Sequence, residues 1–220
     1  MTALFRTINK NSLTLGLFAV LTTGLVALTW YATRDQIASQ VRASEEKALH
    51  EVLPQSTFDN SLLDTRVILP EPERLGSYAQ PPEAYIAFQG DTPSAIILPV
   101  VAPDGYSGRI NLLVGIYADG RIAGVRVITH KETPGLGDSI DTRISDWILG
   151  FNGKSINNPA GEGWAVRKDG GEFDQFTGAT ITPRAVVAAV RRSLDYFAEY
   201  HSALFTNGLQ RLKESPHGQL

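Results

Sequence analysis

Two short segments of this chain carry residue types that could do chemistry. The first is Glu132-Thr-Pro-Gly-Leu-Gly137, directly after a β-rich run. Pro134-Gly135 is turn chemistry, and Gly137, having no Cβ, lets the backbone pass close to a flat group. Taken alone, the segment reads first as a strand-exit turn with a solvated Glu. The second is Asp174-Gln-Phe-Thr-Gly-Ala-Thr-Ile-Thr-Pro183. Thr182 can serve as the N-cap of a helix and Pro183 fits its first turn. Gly178 and Ala179 free space around Thr180. The unsatisfied N–H groups of a helix start would stabilise a phosphate bound or attached there. The plainer alternative is that these threonines only cap the helix.

Other chemistries are excluded or lack a constellation. There is no Cys, and the single Met is Met1. That removes disulfides, thiolate-held zinc or iron–sulfur sites, c-type haem attachment and Met-ligated haem. Electron transfer by this chain would need an organic cofactor. The four His are scattered, so no metal site is expected. No P-loop, G-x-G-x-x-G or nucleophile elbow occurs, and no catalytic residue is assigned. Lys168, before Gly170-Gly171, reads as a hairpin charge or, less commonly, a ligand clamp. The net charge of −3, without a basic block, argues against nucleic acid.

The elements that must position these residues give an α+β class. Residues 84–89 and 95–102 read as strands. Two β-rich runs flank Asp119-Gly120 between Gly108 and His130, a hairpin whose apolar residues predict a sheet covered on both faces. Residues 141–149 are a short helix candidate, and 164–176 suggest a second hairpin through Gly170-Gly171. Residues 183–205 predict a helix with the stripe Val186, Val190, Leu194, Phe197 and Leu204, capped by Gly208.

Ahead of this body, residues 11–33 are uncharged and apolar on all sides. As a helix they reach about 34 Å, enough for a hydrocarbon core of about 30 Å. The threonines within can bond back to helix carbonyls, and Trp30 and Tyr31 suit an interface. The exit Leu28-Thr-Trp-Tyr-Ala-Thr-Arg-Asp35 has no convincing small-x-small cleavage site, so an uncleaved anchor is expected. Arg6 and Lys10 precede the span and Arg34 after it is followed at once by Asp35, a slight bias that favours the N-terminus inside. The expected organisation is a cytoplasmic N-terminus over 1–10, the span over 11–33, a juxtamembrane helix and linker over 34–82, one domain over 83–208 and a tail over 209–220. The stretch 55–82 reads as an ordered loop or linker.

Together these features resemble the covalent FMN-binding domain of the RnfG family, a component of Rnf electron-transport complexes. The NqrC component of the sodium-translocating NADH:quinone reductase shares that domain. The matching residues run in order: the N-terminal span, Gly105-Tyr-Ser-Gly108, Asp119-Gly120, His130-Lys-Glu-Thr-Pro-Gly-Leu-Gly137, Lys168-Asp-Gly-Gly171 and Asp174 through Pro183. The paired motifs E-T-P-G-L-G and D-x-x-T-G-A-T are specific at this separation.

The resemblance implies FMN joined through its phosphate to Thr180, installed from FAD by a flavin transferase that reads the motif led by Asp174. It implies that Glu132, Thr133, Leu136 and Gly137 contact the flavin and that Lys168 helps hold it. Thr177, Gly178 and Ala179 complete the attachment motif, with Thr177 where Ser is the alternative. Tyr106 is assigned no contact. The implied function is a membrane-anchored electron carrier, part of an ion-translocating Rnf-type NADH:ferredoxin oxidoreductase in a bacterial inner membrane, its FMN domain periplasmic. Its partners are the other components of that complex, the transferase and the membrane. The alternatives are the NqrC component of the quinone reductase and a non-enzymatic anchored binding or scaffold domain.

Overall fold

A computed structural model describes residues 2–214, with side chains from residue 11 onward. The chain divides into two compact units, Met1–Glu45 and Glu46–Leu220. Helix α1 (Thr2–Val52) supplies all of the first described unit and enters the second. Between Leu13 and Leu28 its apolar side chains are all exposed. Among the described residues it is the one helix long and apolar enough to cross a membrane. Its threonines bond back as expected: Thr22 Oγ1 donates to the Phe18 carbonyl at 2.9 Å and Thr29 Oγ1 to Leu25 at 2.9 Å. Past the apolar run, the Arg34 guanidinium lies 4.6 Å from the Tyr31 ring centre.

The body is an antiparallel five-stranded meander in the order β1-β2-β3-β4-β5. The strands are β1 (Arg66–Ile68), β2 (Glu83–Gln89), β3 (Thr92–Gly105), β4 (Gly108–Tyr117) and β5 (Ile122–Thr129). The β4–β5 turn forms at the expected Asp119-Gly120. The Gly120 amide donates to Tyr117 O at 2.9 Å and Gly120 has φ +86°, a conformation that favours glycine.

Both faces of the sheet are covered, as the apolar strands require. One face packs on helix α2 (Ile181–Glu214) through Val186, Val190, Leu194, Phe197 and Leu204. The other packs on Leu49, Val52 and Leu53, at and just past the end of α1, and on Phe58, Leu62 and Leu63. The cross-strand pair Gly115 and Gly124 admits that helix end. A Cβ on Gly124 would lie 2.5 Å from the Val52 carbonyl oxygen, and one on Gly115 would lie 2.7 Å from Val52 Cγ1.

Four local expectations are corrected. The stretch 55–82 is built into the body and contains β1, with Leu69 and Leu75 in the core. Residues 141–149 form no α-helix. The Asp141 carboxylate accepts the Arg143 amide at 2.9 Å and its guanidinium, and Ser145 Oγ donates to Ser139 O at 2.6 Å. These short polar side chains hold turns that compete with a helix, and only a 3₁₀ turn at Trp147–Phe151 follows. Residues 164–176 form no hairpin, because Val166 and Phe173 pair in parallel. Gly171 passes so close to Ala165 that a Cβ there would sit 1.9 Å from its carbonyl oxygen. Finally, α2 runs through Gly208 to Glu214. Gly208 is a packing position, where a Cβ would meet Ile86 at 2.8 Å. Residues 215–220 of the expected tail lie outside the described residues.

Candidate functional site

Three segments converge at one end of the sheet: the β3–β4 turn at Gly105–Gly108, the loop leaving β5, and the start of α2. A buried carboxylate joins them. Glu132 is 4% exposed. Its Oε1 accepts the Ser107 amide at 3.0 Å and its Oε2 accepts the Thr182 hydroxyl. The Glu132 amide donates to His130 Nδ1 at 3.2 Å. These hydrogen bonds satisfy the buried side chain and fix its position. Two glycines clear the space. A Cβ on Gly137 would lie 2.8 Å from both Glu132 Oε2 and Thr182 Oγ1, and one on Gly105 would lie 2.9 Å from Glu132 Oε1. Gly137 therefore makes room first for this buried bond rather than for a flat ligand.

The threonine segment enters the site through a tight turn. The Ala179 amide donates to Phe176 O at 3.1 Å, and Gly178 has φ +80°. A positive φ at the third residue is what a type II turn demands, so Gly178 is required there. Thr180 follows, its carbonyl accepting the Arg184 amide at 3.3 Å as the first bond of the helix. Thr180, not Thr182, therefore stands at the N-cap position. The expectation for Thr182 is corrected because Glu132 takes its hydroxyl inside the protein. The amides of Ile181 and Thr182 are left without intrahelical acceptors, and Pro183 has none to leave.

The three threonines of the segment now differ. Thr182 is fully buried and engaged. Thr177 is exposed on the turn and lies outside the cleft. Thr180 lines the cleft, half-buried, and its hydroxyl makes no hydrogen bond to a described residue.

The cleft itself encloses about 270 Å³. Glu132, Thr133, Leu136 and Gly137 form one wall, and Gly178, Ala179 and Thr180 the other. Tyr106, Ile181 and Thr182 also line it, and these three were not expected as contacts. Tyr106 lies in the Gly105–Gly108 turn, whose glycines signalled a turn without giving its direction. Tyr106, Leu136 and Ile181 are 68%, 43% and 46% exposed, an unusual apolar rim for a polar surface.

Lys168, Asp174 and the Thr177 side chain do not line the cleft. Lys168 lies in the exposed 3₁₀ turn Arg167–Asp169, where its amide donates to Gln175 Oε1 at 3.2 Å. Asp174 pairs with Arg167 at 2.8 Å. Asp169 receives two bonds from Arg184, at 2.5 and 2.6 Å. That guanidinium holds the Asp169 carboxyl below the usual carboxylate range. Among the described residues no acid–histidine group could hold a metal ion.

Residues 105–195 match the FMN-binding domain family, a span that begins at the Tyr106 turn and ends in the first half of α2. Every residue lining the cleft falls inside it. Residues 1–52 match the RnfG N-terminal region. A Pseudomonas aeruginosa protein, named as the G component of an ion-translocating oxidoreductase complex, is 54% identical over 192 residues, 87% of this chain and 89% of that one. A Vibrio parahaemolyticus protein of the same name is 48% identical over 202 residues, covering 92% and 95%. This chain belongs to the RnfG family of ion-translocating oxidoreductase complexes. The RnfG match answers the choice left open between that family and NqrC. The crystal structure of Shewanella oneidensis NqrC is a weaker likeness. It has a TM-score of 0.46 at 23% identity, over 69% of this chain and 73% of that one.

Proposed function

We propose that this RnfG protein is a membrane-anchored electron carrier whose FMN is bound through a phosphoester to Thr180. The observation that carries the attachment point is the free hydroxyl of Thr180, in the cleft and at the start of α2, beside a buried Thr182 and an outlying Thr177.

The residues present fit the cofactor. The cleft is at the small end of ligand pockets, so it suits part of a ligand, with the remainder lying across the open rim. Leu136, Ile181 and Tyr106 offer apolar surface to a flat ring. The uncompensated amides at the start of α2 favour the single negative charge of a phosphodiester. Bound FMN supplies one- and two-electron redox chemistry that a chain with no Cys lacks.

In the attachment, the Thr180 oxygen bonds to the FMN-side phosphorus of FAD. The pyrophosphate P–O bond breaks, AMP leaves with that bridging oxygen, and the hydroxyl proton passes to solvent. No electrons are exchanged. A flavin transferase catalyses this, reading the exposed segment from Asp174 to Thr177. Lys168 and Asp174 act on that outer side, while Glu132, Thr133, Leu136 and Gly137 shape the ring site. The apolar helix has no charge between Lys10 and Arg34 and so offers no ion path. Ion translocation then belongs to the other components of the complex, and this chain relays electrons from the periplasmic side of the inner membrane.

The test is the full chain co-expressed with a flavin transferase and run on a denaturing gel under ultraviolet light. The wild-type band fluoresces, as does Thr182→Val if it folds, while Thr180→Val is dark at equal protein. Intact mass shows one FMN phosphoester on the wild type. A wild-type chain carrying only its amino-acid mass beside an active transferase overturns the reading.

A further inference from the structure

The segment that carries Thr180 is held from outside the cleft by a residue the function does not yet use. Trp147 lines no part of the cleft. Its indole Nε1–H donates to the Asp174 carbonyl at 2.8 Å. Its ring meets Phe176 edge-on, with centroids 5.1 Å apart. Behind it the ring packs edge-on against Phe151 at 5.4 Å, and Phe151 stacks on Phe173 at 4.6 Å. Phe151 is fully buried. An indole with its N–H used and aromatic neighbours on two sides has little freedom to reorient.

The Trp147–Asp174 bond is itself exposed, but its donor ring packs on the buried Phe151, whereas the other polar side-chain restraints on residues 174–176 have no such backing. Arg167 and Asp174 pair with side chains 64% and 62% exposed. Pairs so exposed contribute little. The Lys168 amide reaches Gln175 at 3.2 Å from a turn that is itself exposed. Trp147 ties the segment to the core alongside Phe176, which itself packs against the core cluster.

We propose that Trp147 is a positioning residue for the attachment of flavin. It fixes Asp174 and Phe176, from which the Gly178 turn sets the Thr180 hydroxyl at the helix start. This rests on the reading of Thr180 as the attachment residue, and Trp147 touches neither the cofactor nor the reacting atoms.

The test uses the full chain in detergent, with Trp147→Phe as the variant, since Phe keeps an aromatic ring at the position while removing the N–H donor together with the second ring of the indole. Before modification, hydrogen exchange of the amides in 174–180 is expected to be about threefold to tenfold faster than in wild type, the range for one lost hydrogen bond. Exchange in β3 and β4 stays unchanged. With FAD and a transferase, the mass gain appears more slowly by a similar factor but reaches the wild-type endpoint. Equal exchange in 174–180, or equal attachment rates, overturns the proposal.

If Trp147→Phe does not fold, Phe176→Leu decides instead. It removes the other half of the clamp and is expected to show the same local exchange and slowed attachment; wild-type behaviour overturns the proposal. A wild-type chain that never gains mass removes the attachment reading, while the exchange measurement still decides whether Trp147 orders the segment.

Discussion

A buried carboxylate that keeps its hydrogen bonds costs little, but one that loses a partner costs the desolvation of the oxygen left behind. Glu132 is in that position toward Thr182. Thr182→Val preserves shape and removes the hydroxyl, so it is expected to destabilise the body by about 1–3 kcal/mol. Thr180→Val removes a hydroxyl that bonds to nothing described and should leave urea unfolding nearly unchanged. A Thr182→Val chain as stable as wild type would show that the bond to Glu132 contributes nothing. Asp141 gives a second test. The Arg143 guanidinium and amide hold its carboxyl below the usual carboxylate range. A carboxyl depressed in the folded state stabilises above its unfolded value of about 3.9, and that contribution fades as pH falls through the lower folded value. Wild type should therefore melt above Asp141→Asn at pH 7, with the gap closing below about pH 4; a gap independent of pH contradicts the assignment. At this scale the motif residues were legible because type and spacing identify them. The job of Thr182 was not, since its partner Glu132 lies 50 residues away and no local pattern reports it.

Elements were legible where periodicity is strong. The stripe on α2 and the nearly continuous apolar runs around Asp119-Gly120 each exceed any competing local signal. Strand β1 is three residues long and the 3₁₀ turns are no longer than five, too short for a period to register. Glycine was the ambiguous letter. Gly208 near the end of a helical stripe looks like a cap, yet it lies inside α2 against Ile86. Two effects oppose each other at that position. Ala is favoured over Gly in a helix interior by about 1 kcal/mol. Its Cβ, however, would stand 2.8–2.9 Å from three side-chain atoms of Ile86, which is fully buried. Overpacking typically costs about 1–3 kcal/mol, so the clash is expected to win. Gly208→Ala should lower the urea midpoint, and a raised midpoint would mean that Ile86 moves aside freely. Gly124→Ala should be worse, because its Cβ meets the Val52 carbonyl oxygen, a backbone atom, at 2.5 Å.

For the whole molecule, composition had already limited the chemistry before any element was placed. A chain without Cys that moves electrons must borrow an organic group, and one apolar run bracketed by Lys10 and Arg34 must lie somewhere dry. What composition could not supply is the side of the membrane, because the charge bias is only Arg6 and Lys10 against an Arg34 paired with Asp35 at 3.3 Å. The same lack of Cys gives a clean measurement, since any introduced thiol is the sole one in the protein. Ala203 is exposed on α2, away from the cleft, and Thr7 precedes the apolar run. With the outer membrane permeabilised and the inner membrane intact, a charged maleimide is expected to label Ala203→Cys and to spare Thr7→Cys. Detergent lysis should make both reactive. The reverse pattern would put the body in the cytoplasm, where free flavin nucleotide is at hand and a covalent tether on Thr180 has no purpose. Labelling of both thiols in intact cells would mean that the apolar helix does not cross the bilayer at all.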